Sequence, residues 1–460
     1  MKITHQDNSS FRDPSGFIFR ENGRLLRQVN RRYKNDYDHL MRSGLYEKLV
    51  SRKLLIPHTE ITGHTGLSED CYIVIAPEKV NFISYAYEWS FSQLKDAALA
   101  TLQIQNTALK HGMVLKDASV YNIQFHKGMP IHIDTLSFEI YQDNTPWQAY
   151  RQFVQHFLAP LALMSHTDIR LNQLLKSHLD GVPLDLTAKL LPWRTKLNLG
   201  LFLHIHAHSR AQKKYQKPSS SHSKSSLSRQ RLQNLIKSLW QVISKLKVRE
   251  KDTEWAEYYS FTNYSHDSFN HKKEIIREMA KQINPSFVWD MGANTGEFTQ
   301  IISQCGIPCI AFDIDPLAVE KHYAHLRNTK SAHTLPLLLD VTNPSPAIGW
   351  GNRERMDLAM REKPDTIMAL ALIHHLAISN NIPLHKIAEY FSELCTNLII
   401  EFVPKEDSQV QLLLASREDI FQDYTKDSFI KAFSAFFQII TERNIEGSTR
   451  SLFLMQKPAK

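Results

Sequence analysis

Cysteine is scarce in this chain, with four in 460 residues, at Cys71, Cys305, Cys309 and Cys395. So few and so scattered, they exclude a disulfide framework. The pair Cys305 and Cys309 has no second ligand pair to complete zinc spacing, so no metal site is expected and all four read as small buried hydrophobes. Also missing is any apolar run near the ~20 residues that a bilayer span requires. The opening MKITHQDNSSFRDPSG has no apolar signal core. The expectation is a cytoplasmic protein without a transmembrane segment. No internal repeat is visible.

What is present is an ordinary globular composition, 42% hydrophobic, in a chain too long for one core. The net charge is +8, but its distribution argues against a nucleic-acid surface. From His204 to Lys251 there are 12 Lys/Arg and one acid, Glu250, an excess of +11 that leaves the remainder near −3 (8 minus 11). The basicity belongs to a connecting segment, so no specific nucleic-acid binding is expected. Within it, KKYQKPSSSHSKSSLSR (213–229) lacks an apolar period and reads as a flexible linker. Leu232, Leu235, Ile236, Leu239, Val242, Ile243 and Leu246 then mark an amphipathic basic helix. Such a helix suits a membrane surface or a partner, but packing on a domain is the reading we take. His204, His206 and His208 alternate without a carboxylate or cysteine companion and read as solvated. The expected division is 1–212, an α+β domain; 213–252, linker and helix; and 253–460, an α/β domain.

After the linker, short apolar runs alternate with helical patterns, as in a doubly wound parallel sheet. In FVWDMGANTGEFTQII a buried strand runs through Asp290-x-Gly292-x-Asn294-x-Gly296 into a helix. Glycines at such a turn let a ligand approach the backbone. Asn294 stands where G-x-G-x-x-G would require glycine, which counts against a nicotinamide enzyme. CIAFDID ends a second strand at Asp313, placed to accept from ribose hydroxyls. LPLLLDV ends a third at Asp340, placed to accept from an adenine amino group. PDTIMALALIHHL is a fourth, followed by His374 and His375; LIIEFV is a fifth, ending at Glu401. FFQIITERN and RSLFLMQK complete seven as a terminal hairpin.

These residues resemble class I S-adenosylmethionine-dependent methyltransferases, over about Trp255 to Lys460. The resemblance implies a Rossmann-like seven-stranded domain binding S-adenosyl-L-methionine, with Asp290 and the Gly292–Gly296 turn at the methionine and ribose end. Asp313 would hold the ribose, Asp340 would sit beside the adenine, and His374–His375 would lie near the methyl group. Either histidine is a candidate general base, since imidazole titrates near neutral pH; capping or packing of the loop is the alternative. The resemblance also makes Tyr264 of WAEYYSFTNYSHDSF a candidate lid, beside an equal reading as a docked aromatic helix. After strand five, EFVPKEDSQVQLLL and SREDIFQDYT are long enough to shape an acceptor site, and Glu401 and Lys405 sit at the C-terminal edge of the sheet, where open α/β folds bind ligands.

A second constellation lies in HGMVLKDASVYNIQFHKGMPIHIDTLSFE, where Asp117 precedes Asn122 by five residues and Asp134 follows a probable hairpin. It resembles the catalytic and metal-binding segments of protein-kinase-like phosphotransferases. There an Asp accepts the substrate proton, while an Asn and a second Asp hold magnesium on ATP. Asp134 is followed by Thr135 and Leu136 rather than Phe-Gly, there is no Gly-rich loop in the first 60 residues, and no strand-three lysine can be assigned. A chance D-x-x-x-x-N in an ordinary α+β domain stays open. Across nearly the whole length, YEWSFSQLKDAAL, LKDASVYN and REDIFQDYT resemble a bacterial family of nodulation-protein-like methyltransferases.

The expected function is methyl transfer to a small-molecule or glycan acceptor, a hydroxyl of a glycan or glycolipid being favoured by the family resemblance. The alternatives are an ATP/Mg-dependent phosphotransferase with an appended nucleoside-binding domain, and a non-catalytic nucleoside-binding protein.

Overall fold

The computed structural model describes residues 4–209, 228–248, 266–415 and 418–458. Most of the expected linker, and with it Tyr258, Tyr259 and Tyr264, lies outside the described residues. Packing divides the chain into two units. One is Met1–Glu250 with Ala347–Met356; the other is Lys251–Pro346 with Asp357–Lys460.

The first unit opens with a five-stranded antiparallel sheet: β1 (Thr4–Gln6), β2 (Gly16–Glu21), β3 (Arg24–Asn30), β4 (His58–Ile61) and β5 (Cys71–Pro77), in the order β1-β2-β3-β5-β4. Asn22 and Gly23 link β2 to β3 with φ of 51° and 79°, the left-handed pair that a two-residue hairpin turn demands. The long helix Phe91–Lys110 follows, capped by Ser90 with Gln93 closing a capping box. Its apolar face packs with Leu40, Leu49 and Phe138 into a core. Beyond it come β6 (Met113–Leu115), β7 (Ile123–His126), β8 (Met129–His132) and β9 (Phe138–Ile140). The expected hairpin is β7–β8, turned on Lys127 and Gly128.

The amphipathic helix forms at Arg229–Lys245 and buries Leu232, Ile236, Leu239 and Ile243. Lys95 ties down its end, donating to the carbonyls of Ser244 and Leu246 at 2.9 and 2.8 Å. Packing therefore holds this helix. Of the three nearby histidines, His208 is exposed as expected, but His204 and His206 are not solvated. His204 is buried between the Tyr150 and Ser238 hydroxyls, and His206 against the Thr195 hydroxyl. Each side chain gains hydrogen bonds that offset its desolvation. Cys305 likewise departs from expectation by being exposed, whereas Cys309 and Cys395 are buried.

The second unit is a seven-stranded sheet of β10 (Val288–Met291), β11 (Cys309–Asp313), β12 (Thr334–Leu338), β13 (Thr366–Ala369), β14 (Asn397–Phe402), β15 (Gln438–Asn444) and β16 (Ser451–Gln456). The order is β12-β11-β10-β13-β14-β16-β15, parallel except for β16, which runs antiparallel to both its neighbours. Every residue of β10, β11, β13 and β14 is buried, as helix-covered parallel strands require. One such cover is the helix His266–Ile283, whose Ile275, Ile276 and Met279 pack with Phe298, Met368 and Ile399. β12 stops at Leu338, two residues before Asp340, and β14 runs one residue past Glu401.

Candidate functional site

The site begins where β10 runs out. Gly292, Asn294 and Gly296 turn the chain back with φ of 81°, 50° and 84°. At Gly296 the requirement for glycine is steric as well as conformational: a Cβ would lie 2.1 Å from the His322 ring. The turn is laced to the tip of β11. Asp313 accepts from the backbone N–H of Asn294 through one oxygen (2.7 Å) and from that of Asp315 through the other (2.8 Å). Beneath the turn, Asp290 accepts from the Thr299 hydroxyl at 2.6 Å.

Above this turn, at the carboxyl ends of the strands where open α/β sheets take ligands, lies a cavity of about 280 Å³. Asp290, Gly292, Asn294, Asp313, Asp340 and His375 all line it. Its wall also carries Ile314, 60% exposed although apolar, at the tip of β11. Burial raises the carboxyl of Asp290 to about 7 and that of Asp313 to about 6. Asp340 accepts from both the backbone and the hydroxyl of Thr342, at 2.8 and 2.6 Å.

The two histidines part company. His375 opens the helical turn His375–Ser379 and faces the cavity, while His374 is completely buried and does not line it. Their rings lie 4.1 Å apart. Burial lowers both pKa values, that of His375 to about 4, and the nearby Arg450 charge adds to the effect. Of the two candidate bases, His375 alone lines the cavity.

Glu401 stands at the C-terminal end of β14, as expected, but turns inward. It is fully buried and does not line the cavity. One carboxylate oxygen accepts from Lys272 Nζ (2.6 Å) and from the Ala371 N–H (2.7 Å), and the other lies 3.6 Å from Arg450. Arg450 in turn holds Asp407 at 2.7 and 3.0 Å. Buried charges survive only when paired in this way. Lys405 pairs with Asp419 at 2.9 Å. Lys272 and Ala371 line the cavity and escaped the sequence reading. Lys272 had a signal: it sits among Ser268, Ile275, Ile276 and Met279 on the buried face of its helix, where an unpaired lysine would not be tolerated. Ala371, in the left-handed region at φ 48°, had none.

In the first unit the structure brings Asp117, Asn122 and Asp134 together. Asn122 and Gln152 hydrogen-bond to Asp117, whose carboxyl is raised by burial and then by Asp134. Asp134 is already paired. Arg27, on β3, meets it at 2.6 Å, with both side chains largely buried. Burial works to raise the Asp134 carboxyl, but the Arg27 guanidinium, His132 and the hydrogen bonds from the Leu136 N–H and Ser137 together hold the group below its ordinary value. Among the described residues no three His, Cys, Asp or Glu side chains gather as a metal site.

No family model matches the sequence. A curated relative does: the nodulation protein NoeA of Rhizobium meliloti (strain 1021) is 36% identical over 460 residues, covering 97% of this chain and 95% of the relative. The chain belongs to the NoeA family. Solved structures similar in fold include WbdD, at 15% identity and TM-score 0.30, which matches 41% of this NoeA-family chain and 40% of WbdD's own length. Another is the N-methyltransferase NodS from Bradyrhizobium japonicum WM9 in complex with S-adenosyl-L-homocysteine. It shows 10% identity, TM-score 0.33, and coverage of 45% of this chain and 94% of NodS. By its own sheet order and glycine turn, the second unit has a Rossmann-like methyltransferase fold.

Proposed function

We propose that this chain transfers the methyl group of S-adenosyl-L-methionine to a hydroxyl of a glycan, glycolipid or other small molecule. The observation that carries the reading is the cavity, which a glycine turn and the carboxylates at the ends of three successive strands line together. Its residues suit an adenosyl group. The Asp313 carboxylate, held by the backbone N–H groups of Asn294, Ile314 and Asp315, would turn its remaining lone pairs to a ribose diol. Ile314 and Leu339 offer apolar surface for a flat base, and Asp340 an acceptor for its amino group.

The bound cofactor would supply a methyl group on a positively charged sulfur. The chain's own task is then to exclude water, hold the acceptor in line and receive its proton. Phe298, Leu372 and Leu376 form dry wall. Glu401 neutralises Lys272, so no uncompensated cation faces the sulfonium. His375 lines the cavity as a neutral imidazole, its pKa lowered to about 4 by burial and by Arg450, and is the side chain we assign to receive the acceptor proton.

For the first unit we propose a kinase-like module that helps select the acceptor and does not transfer phosphate. Its sheet and its Asp117–Asn122 loop support the first part. The Arg27–Asp134 pair supports the second, because magnesium would need the carboxylate that Arg27 holds. Calorimetric titration of the full chain tests both parts. S-adenosylhomocysteine should bind at micromolar concentration and lose binding in Asp290→Ala, whereas ATP with magnesium should give no heat. The opposite pattern would move the activity to Asp117 and refute methyl transfer.

A further inference from the structure

Beside the helix Arg229–Lys245, still within the first unit, the chain exposes apolar side chains at a density unusual for a protein surface. Trp193 is 72% exposed, Leu197 77% and Leu199 70%, and Leu203 and Leu190 are also exposed. Single exposed apolar residues need no explanation, but a contiguous group marks a surface with a partner.

This run is firmly anchored. Thr195 is buried between the Pro192 carbonyl (2.7 Å) and the His206 ring (2.9 Å). Asn198 caps the next turn by accepting from the Leu201 N–H at 3.1 Å. Gly200 lies so close to the helix Arg229–Lys245 that a Cβ would stand 2.2 Å from Val242 Cγ2. Leu201 and Ile205 fill the interior. The backbone is thus fixed from within, and it holds Trp193, Leu197 and Leu199 outward.

Charge identifies what this surface fits. Lys189, Arg194 and Lys196 are exposed among the apolar residues. From Leu186 through Arg249 the sequence has 14 Lys/Arg and no Asp or Glu. Tryptophan and leucine rimmed by basic side chains match the layers of a bilayer interface, with apolar groups at the acyl boundary and cations at the headgroups. No helix among the described residues is long and apolar enough to cross a membrane, so such contact would be in the interface plane. We propose that Leu190–Leu203 is a docking surface for an anionic lipid bilayer. The proposal does not depend on the methyl-transfer reading.

The test is co-sedimentation of the full chain with vesicles of phosphatidylcholine and phosphatidylglycerol (7:3), and with phosphatidylcholine alone. Binding is expected only to the anionic vesicles, and should weaken at 0.5 M NaCl. Binding should fall by about tenfold or more in the triple variant Trp193→Ala/Leu197→Ala/Leu199→Ala. A similar fall is expected in Arg194→Glu/Lys196→Glu, since each cation near an anionic surface contributes several-fold in affinity. All five side chains are exposed, so thermal melting should be unchanged, and the second variant stands if the first fails to fold. Brominated lipid should quench tryptophan fluorescence in the wild type and not in Trp193→Leu. Any of three results would overturn the proposal: wild type remaining in the supernatant, both variants binding as wild type does, or a dimer that the triple variant dissolves without any vesicle binding.

Discussion

Two groups of acidic residues, one in each unit, look equally functional in the sequence and meet opposite electrostatic fates. In the second unit Asp290 and Asp313 are buried at strand ends, satisfied by a hydroxyl and by backbone N–H groups, and raised towards neutral pH. In the first, Asp134 is largely buried but meets a guanidinium. A carboxylate answered only by neutral donors keeps appetite for a further polar ligand, and it titrates where a cell can sense it. One answered by a full positive charge is finished within the protein. The contrast concerns how each residue is met, which motif spacing alone does not reveal.

The largest effect should come from breaking the finished pair. Arg27→Ala leaves Asp134 buried and unpaired, which costs on the order of 3–5 kcal/mol. Native-state hydrogen exchange of β3 amides should report that loss as a drop in opening free energy. Replacing both partners, as Arg27→Met/Asp134→Leu, should recover most of it. A loss below about 1 kcal/mol would make the pair incidental and restore Asp134 as a candidate metal ligand.

On the other side, Asp313→Asn keeps the shape but removes the charge and one acceptor oxygen. S-adenosylhomocysteine affinity should fall about 100-fold, from hydrogen bonds to a charged group worth ~1.5–3 kcal/mol each. Calorimetry on a variant of unchanged melting temperature would check this, and undiminished binding would remove Asp313 from the site.

A smaller effect sharpens the comparison by pH. Asp313 offers both oxygens as charged acceptors to a ribose only when ionised, and its carboxyl sits at about 6. Affinity should hold above that value and fall by up to about tenfold per unit as the pH drops below it. The direction follows from the raised value: protonation, which costs the site its charge and one acceptor oxygen, sets in about two units higher than for an exposed aspartate. An affinity flat from pH 7.5 to 5 would contradict the assignment.

Much of the second unit was legible because its determinants are local. Val288 and Trp289 announce a strand buried on both faces, and Gly292 and Gly296 announce a turn with positive φ. The hairpin of β7 and β8 was readable from the step His126-Lys127-Gly128 in the same way. What stayed hidden was long-range pairing. Lys272 finds Glu401 across 129 residues, and Arg27 finds Asp134 on the far side of the unit's longest helix. No periodicity encodes such meetings. His204 and His206 were misread for a related reason, since their partners, Tyr150, Ser238 and Thr195, come from other turns of the fold.

The segment Ala347–Met356 has a practical meaning for anyone who would take this protein apart. Its sequence lies between β12 and β13, yet it packs as part of the first unit: Arg355 lies over the Tyr121 ring at 4.0 Å, and Met356 donates to the Tyr85 hydroxyl at 2.8 Å. The polypeptide therefore passes from one unit to the other more than once. A single scissor cut near residue 250 yields two fragments that are each incomplete, the earlier one lacking a piece of itself and the later one carrying an orphaned loop. Gene fusions, split reporters and truncation series built on a simple beads-on-a-string layout would divide the molecule where the molecule itself does not.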